Sequence, residues 1–154
     1  ALEYYLRIEQ MKPDNLSVEM NIGHCYFEQE NYDEALKYYF KVDYLDPKST
    51  KAWRAIAWCS FLAGKQEQAR RYYEKILNNK PTPIDYMNAG HVEFVLKNLS
   101  KTIELYRESI ENDKGNAESF LNNFRQDVKY LIQAGISAND IPLLIDQLMY
   151  SLNR

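Results

Sequence analysis

The sequence contains few residues that break helices, with five glycines and five prolines among 154 residues. This scarcity leaves little room for the tight turns of an all-β fold and favours long helices. Cysteine is also scarce: Cys25 and Cys59 are the two present, and neither belongs to a Cys-x-x-Cys pattern. The chain therefore lacks the cysteine spacing of a disulfide framework.

An excess of positive charge is missing as well, because the formal net charge is −3. Nucleic-acid-binding domains usually carry a basic patch or stripe, so we expect no nucleic acid among the partners. No apolar run approaches the roughly 20 residues that cross a bilayer, so we expect no membrane insertion of this segment. No signal peptide is visible, but the pattern is already helical at Ala1. We therefore expect the chain to be part of a longer protein.

The composition is that of a folded globular protein, with 45% hydrophobic and 27% charged residues. The length of 154 residues fits one domain. Aromatic residues make up 14% of the chain and include thirteen tyrosines. A single helical domain rich in tyrosine is the first expectation.

The sequence aligns with itself when it is shifted by about 34 residues, which is the signature of a repeat architecture. The aligned columns are Gly23, Ala57 and Gly90; Ala35, Ala69 and Thr102; Tyr39, Tyr73 and Tyr106; and Pro47, Pro81 and Lys114. Small residues in the first column allow two helices to cross closely, and the tyrosines are expected to fill the space between hairpins. The prolines end the second helix of a unit, since proline lacks the N–H group and clashes with the preceding turn.

Apolar residues at three- and four-residue spacing predict two helices in each unit. The predicted pairs are Leu16 to Gln29 with Asp33 to Leu45, Thr50 to Leu62 with Gln66 to Leu77, and Pro83 to Leu96 with Lys101 to Glu111. Thr82, Pro83 and Asp85 form a recognisable start signal for the third pair. The opening 15 residues match the second helix of a unit.

Beyond Lys114 the period is lost, and two further helices are predicted. The first runs from Ala117 to Ala134, and its apolar stripe consists of Phe120, Phe124, Val128, Leu131 and Ile132. Ser137 is expected to cap the second, with Asp140 as the partner in a capping box. We expect both helices to cap the stack, since a terminal helix carries a polar outer face. Docking of the last helix on a partner or on a second copy of the chain is the alternative.

The order of small residue, Tyr, Ala, Tyr and Pro resembles the tetratricopeptide repeat family. The resemblance covers residues 1–114 as a half repeat, 1–15, and three repeats, 16–49, 50–82 and 83–114, with capping helices over 115–154. Glu19 stands where the family prefers Trp, and the third repeat is the weakest match. The resemblance implies an all-α fold, a right-handed superhelical solenoid of antiparallel helix hairpins. It also implies a concave groove lined by the first helix of each repeat.

Position within the repeat predicts which side chains line that groove. They are Met20, Asn21, His24, Phe27, Arg54, Trp58, Phe61, Met87, Asn88, His91 and Phe94. The floor is expected to be aromatic and apolar, with Arg54 as its clearest cation and the two asparagines bonding a peptide backbone. The Lys, Asn and Arg clamp with which some family members hold a C-terminal carboxylate is not formed. For the column of Phe27, Phe61 and Phe94, packing in the core is the alternative to a position in the groove.

Chemistry at the histidines and cysteines has little support in the sequence. A metal or nucleophile site at His24 and Cys25 lacks a third ligand at metal spacing and an acid to orient the histidine. Both cysteines are expected to pack as small buried hydrophobes. His24 and His91 would make binding pH-sensitive if they face a partner, but plain packing is the favoured interpretation. We expect no metal and no cofactor.

Binding is the predicted function, because the sequence shows no Gly-rich phosphate loop, no Ser/His/Asp arrangement and no carboxylate pair with an evident task. We predict a non-enzymatic module that binds a protein or peptide in the groove. One alternative is a segment of a longer solenoid or a scaffold that self-associates through exposed Tyr4, Tyr5 and Ile8 or through the C-terminal helix. Another is an accessory domain of an enzyme outside this segment. The sequence assigns no compartment or pathway.

Overall fold

The computed structural model describes residues 1–154 and consists of nine helices without a strand. The helices are α1 (Leu2–Met11), α2 (Leu16–Glu28), α3 (Tyr32–Leu45), α4 (Thr50–Leu62), α5 (Gln66–Leu77), α6 (Pro83–Val95), α7 (Leu99–Glu111), α8 (Ala117–Gln133) and α9 (Asp140–Leu152). The chain forms two compact units, Ala1–Tyr72 and Tyr73–Arg154. The predicted all-α class is confirmed. Because the two units meet inside α5, they do not test the predicted repeat boundaries.

All nine predicted helices are present, and asparagine side chains explain where several of them begin. The largest difference within the repeats is at α7, which begins at Leu99 and not at Lys101. Asn98 caps this helix, since its side chain accepts a hydrogen bond from the backbone N–H of Lys101 at 3.4 Å. Asn15, Asn31 and Asn116 cap α2, α3 and α8 in the same way.

Two predicted capping boxes have different outcomes. At α6 the box is confirmed: Thr82 accepts from the N–H of Asp85, and the Asp85 carboxylate accepts from the N–H of Thr82 at 2.8 Å. The prediction at α9 is wrong, because this helix begins only at Asp140. Ser137 Oγ instead accepts from the N–H of Asn139 at 3.3 Å and stabilises the turn before the helix.

In the first unit, close helix crossing depends on Gly23 of α2. A Cβ atom at this position would lie 2.5 Å from Cε1 of Tyr39 on α3, so the prediction that a small residue is needed is confirmed. Tyr39 is buried in a cluster that also contains Ile56 and Cys59 of α4. The tyrosine therefore packs inside its own hairpin and against the next helix, as predicted.

Glu19 occupies the position where the family that the sequence resembles prefers tryptophan. The Glu19 side chain is fully buried. Its Oε1 accepts from Nζ of Lys41 at 2.9 Å, and the same ammonium donates to the backbone carbonyl of Pro13. Burial, followed by a hydrogen bond with Glu19, raises the pKa of Glu9 on α1. A polar network thus replaces the indole and joins three elements of the first unit.

The two cysteines are free but differ in environment. Cys59 is buried as predicted, whereas Cys25 is only partly buried. Burial raises the pKa of the Cys59 thiol to about 12, so it remains a neutral thiol at physiological pH.

In the second unit, α6 and α7 form a hairpin that crosses at Gly90. A Cβ atom there would lie 2.4 Å from Cε1 of Tyr106, which repeats the arrangement at Gly23. Helix α8 packs against both α6 and α7, and α9 packs against α7. Five side chains of α8 and α9 are buried: Phe120, Phe124, Leu131, Leu144 and Leu148.

Candidate functional site

An exposed histidine and a buried tyrosine form the centre of the candidate site in the first unit. His24 Nδ1 lies 2.7 Å from the hydroxyl oxygen of Tyr39. Burial lowers the pKa of His24, with Glu28 acting in the opposite direction, so the imidazole is predominantly neutral at pH 7. Burial also raises the pKa of Tyr39, which keeps its hydroxyl protonated. The pair is therefore neutral, polar and accessible from one side.

Around this pair lies a cleft of about 520 Å³, which we call the α2–α4 cleft. Its lining comprises Met20, His24, Phe27, Glu28, Tyr39, Lys51, Arg54, Ala55 and Trp58. Five of these were predicted: Met20, His24, Phe27, Arg54 and Trp58. The volume is within the range of sites that hold a drug-sized ligand or a few side chains of a peptide.

The charges of the cleft lie mainly on α4. Lys51 and Arg54 are three residues apart and therefore share one face of this helix. Glu28 contributes the one carboxylate of the lining. Sequence reasoning missed Lys51, although its position one turn before Arg54 on the predicted helix was a usable signal.

Aromatic packing fixes the position of Trp58. Its ring stacks on Phe61 with centroids 5.2 Å apart and an interplanar angle of 21°. Phe61 itself is 1% exposed, so the expectation that it faces the groove is wrong. Phe61 is a core residue that supports Trp58 from beneath. Ala55, about one turn before Trp58, keeps the cleft open because its side chain is small.

The predicted groove residues of the third repeat are largely core as well. Met87, His91 and Phe94 are buried, so the expectation that Met87 and His91 face a groove is wrong, and Phe94 lines a different cavity, described below. At His91 the cause is α8, because the rings of His91 and Phe124 have centroids 5.7 Å apart. Repeat alignment identified the right column but did not reveal that another helix covers it.

His91 completes a buried chain of hydrogen bonds. Its Nδ1 lies 2.7 Å from the hydroxyl of Tyr106, and its Nε2 lies 3.0 Å from Oδ2 of Asp127 on α8. Burial and then the charge of Asp127 raise the pKa of Tyr106. All three groups are used in packing α8 onto the hairpin.

The two predicted asparagines do not join the α2–α4 cleft. Asn21 and Asn88 are half-buried, and neither lines the α2–α4 cleft or the cavity described next. Their proposed contact with a peptide backbone stays a prediction.

A second cavity of about 490 Å³ lies in the second unit, and sequence reasoning did not anticipate it. It is lined by Phe94, Lys97, Leu99, Gly135, Ile136, Ser137, Asp140, Leu143, Leu144 and Gln147. The turn before α9 forms one wall, so the late start of that helix creates the opening.

Other kinds of site find no matching arrangement. No group of three or more His, Cys, Asp or Glu side chains is placed to hold a metal ion. None of the nine helices combines the length and apolar character needed to span a bilayer.

Comparison with protein families identifies the repeat. Two family models, both described as Tetratricopeptide repeat, match the sequence, one over residues 17–49 and the other over residues 52–82. These spans lie within the first and second complete repeats predicted from the sequence. No curated protein sequence matches the chain.

Several solved structures share the fold at low sequence identity. A crystal structure of MamA protein has a TM-score of 0.69 at 21% identity, covering 87% of this chain and 79% of that one. MamA residues 41-end from Desulfovibrio magneticus RS-1 give 0.70 at 17% identity, covering 99% and 86%. YrrB, described as a TPR protein with an unusual peptide-binding site, gives 0.65 at 15% identity, covering 87% and 74%.

Proposed function

Because the chain is a tetratricopeptide repeat protein, we propose that it is a protein-interaction scaffold whose α2–α4 cleft binds a segment of a partner protein. The observation that carries this proposal is the cleft itself, an open volume of about 520 Å³ between two repeat helices. Solenoid proteins commonly bind partners on surfaces formed by successive repeats.

The residue types in the cleft are those that dominate protein interfaces. Tryptophan and arginine are enriched among the residues that contribute most binding energy, and the lining contains Trp58 and Arg54. Met20 adds a flexible apolar wall that adapts to different side chains. The fold shared with YrrB, a TPR protein with a peptide-binding site, supports a peptide as the ligand.

Lys51 and Arg54 favour an acidic or carboxylate-bearing segment over a basic one. Both cations lie on the same face of α4, and Glu28 is the single opposing charge of the lining. Charge complementarity of this kind steers association and selects among partners.

The proposal is tested by selecting binders for the chain from a displayed peptide library and measuring their affinities by fluorescence anisotropy. Trp58→Ala should weaken selected binders by roughly 30-fold, since removal of a central interface residue typically costs about 2 kcal/mol or more. Tyr44→Ala is the matched control, because Tyr44 is an aromatic residue that is 83% exposed and does not line the cleft.

Circular dichroism should show the same helix content in both variants. If Trp58→Ala and Tyr44→Ala weaken the binders equally, or if neither variant weakens them, the cleft is not the binding site.

Self-association is the second candidate, and an exposed apolar surface on α1 favours it. Tyr4 is 63% exposed and Met11 is 75% exposed. The expectation that Tyr5 and Ile8 are bare is wrong, because both are half-buried. Sedimentation equilibrium at rising concentration tests this candidate, and a monomer throughout would remove it.

A further inference from the structure

The chain contains two histidine–tyrosine pairs with the same geometry. His24 Nδ1 lies 2.7 Å from the Tyr39 hydroxyl, and His91 Nδ1 lies 2.7 Å from the Tyr106 hydroxyl. In each case a glycine next to the histidine lets the tyrosine ring approach the helix closely. The two pairs differ in what lies against the other nitrogen of the imidazole.

In the second unit, helix α8 covers the histidine with two side chains. Phe124 packs edge-on against the rings of both His91 and Tyr106, with centroids 5.7 Å and 5.6 Å away. Three residues later, Asp127 Oδ2 lies 3.0 Å from His91 Nε2. One turn of an amphipathic helix therefore supplies an aromatic ring and a carboxylate to the pair.

The hydrogen bonds at His91 place the proton of a neutral imidazole. An ionised carboxylate only accepts, so Nε2 carries the hydrogen and donates to Asp127. Nδ1 is then unprotonated and accepts from the Tyr106 hydroxyl. At His24 the same hydrogen bond leaves a donating N–H at Nε2 when the Tyr39 hydroxyl donates to Nδ1.

In the first unit, the corresponding donor, the N–H at Nε2 of His24, has no hydrogen-bond acceptor. His24 is exposed, and its only hydrogen bond is the one between Nδ1 and Tyr39. The adjacent α4 contributes Ala55 to the lining, and the space beside that methyl group forms part of the cleft of about 520 Å³. The cleft thus has room for a ring and a donor for a carboxylate.

We propose that the α2–α4 cleft binds an amphipathic helix of a partner protein, one that presents an aromatic residue and, three positions later, Asp or Glu. The aromatic ring packs over Ala55 against the exposed side of His24. The carboxylate accepts from His24 Nε2, and Lys51 and Arg54 add positive charge around it. This inference rests on the proposed function and specifies the chemistry of the partner.

The occupant is a different protein and not a second copy of the chain. A second copy carries the same two side chains on its own α8, but Phe124 and Asp127 there are already engaged by His91. Releasing them would leave His91 and Tyr106 exposed, with an unsatisfied donor in that copy.

The probe is a synthetic peptide with the sequence of residues 116–134, labelled with a fluorophore. A lactam between positions 125 and 129, both exposed in α8, holds the peptide helical, since isolated helices of this length are marginal in water. Anisotropy should show binding to the intact chain. Peptides carrying Phe124→Ala or Asp127→Asn should bind at least tenfold more weakly.

Variants of the chain locate the binding. Ala55→Phe fills the cleft with the chain's own ring and should reduce peptide affinity at least tenfold, with helix content checked by circular dichroism. Lys51→Glu should weaken binding several-fold. Lys48→Glu is its matched control, because Lys48 is an exposed lysine that does not line the cleft, and it should bind as the unchanged chain does.

Three results would overturn the inference: no binding of the lactam peptide, equal binding of the Asp127→Asn peptide, or equal effects of Lys51→Glu and Lys48→Glu. Dimerisation of the chain that Ala55→Phe abolishes would also contradict it, since the occupant would then be a second copy. If library-selected binders still depend on Trp58 while the lactam peptide does not bind, the proposed function stands and this inference fails.

Discussion

The hairpins α2–α3 and α6–α7 carry the same glycine, histidine and tyrosine, yet one histidine is exposed and the other is fully buried. The hydrogen bond between histidine Nδ1 and the tyrosine hydroxyl is 2.7 Å in both. The difference arises outside the hairpin, in α8, whose Phe124 and Asp127 lie on His91. A repeat therefore specifies its own internal packing, while its neighbour decides whether its surface is core or a binding site.

The largest effect is expected from removing the ring that covers His91. Phe124 is buried against His91, Tyr106 and Phe120. Phe124→Ala should lower the free energy of unfolding by about 3–5 kcal/mol, as measured by urea denaturation, through lost burial and the cavity left behind. Ile132→Ala on the same helix is the control and should cost less than about 1 kcal/mol, because Ile132 is 45% exposed. Similar costs for the two would mean that α8 does not cover the hairpin as described.

A smaller effect should distinguish the two tyrosine hydroxyls. Tyr106→Phe leaves Nδ1 of the buried His91 without a donor and should cost about 1–3 kcal/mol. Tyr39→Phe removes the same bond, but water reaches the exposed His24, so we expect about 0.5–1.5 kcal/mol. Chemical denaturation of both variants in parallel measures the difference. A larger loss for Tyr39→Phe would contradict the assignment of His24 as the solvent-accessible member.

The smallest effect concerns the titration of His24, which NMR can follow through its ring protons. Burial lowers the pKa of His24 from its ordinary value of 6.5, although the charge of Glu28 opposes the change. Tyr39, Lys51 and Arg54 are the other polar or charged groups that line the same cleft. We expect a titration midpoint below 6.5 in the folded chain.

The lowered pKa of His24 determines the direction in which the stability of the folded chain changes with pH. The unfolded chain takes up the proton first, so the contribution of His24 to stability is complete above pH 6.5 and is lost as the pH falls towards the folded-state pKa. The variant His24→Asn should lack this component of the acid dependence. A midpoint above 6.5 would show that a neighbouring carboxylate, and not burial, controls the imidazole.

Most of the fold was predictable because the repeat columns and the helix-end signals indicate the same arrangement. The columns of Gly23 and Tyr39 have one physical explanation, close crossing of two helices, and the structure confirms it. Helix ends were predicted within two residues in the repeats, where Asn and Thr caps and prolines punctuate the pattern. The late start of α9 was missed, because Ser137 satisfies the sequence rule for a cap yet bonds within a turn.

The site was less predictable than the fold. Alignment of columns treated Phe27, Phe61 and Phe94 as equivalent, but only Phe27 lines the cleft. The periodicity of a helix indicates the direction in which a side chain points, but it does not indicate which other element packs against that side chain. Helix α8 lies on the hairpin through Phe120, Phe124 and Asp127, which follow no repeat, so the burial of His91 could not be derived.

The position of Cys59 makes the native thiol a reporter of breathing motions in the first unit. Its sulfur lies 3.6 Å from the carbonyl oxygen of Tyr32, so the thiol of α4 is held against the first turn of α3. A thiol is alkylated as the thiolate, and a buried group with a pKa of about 12 supplies almost none. Alkylation of Cys59 therefore requires separation of α3 from α4, and its rate measures how often those helices part.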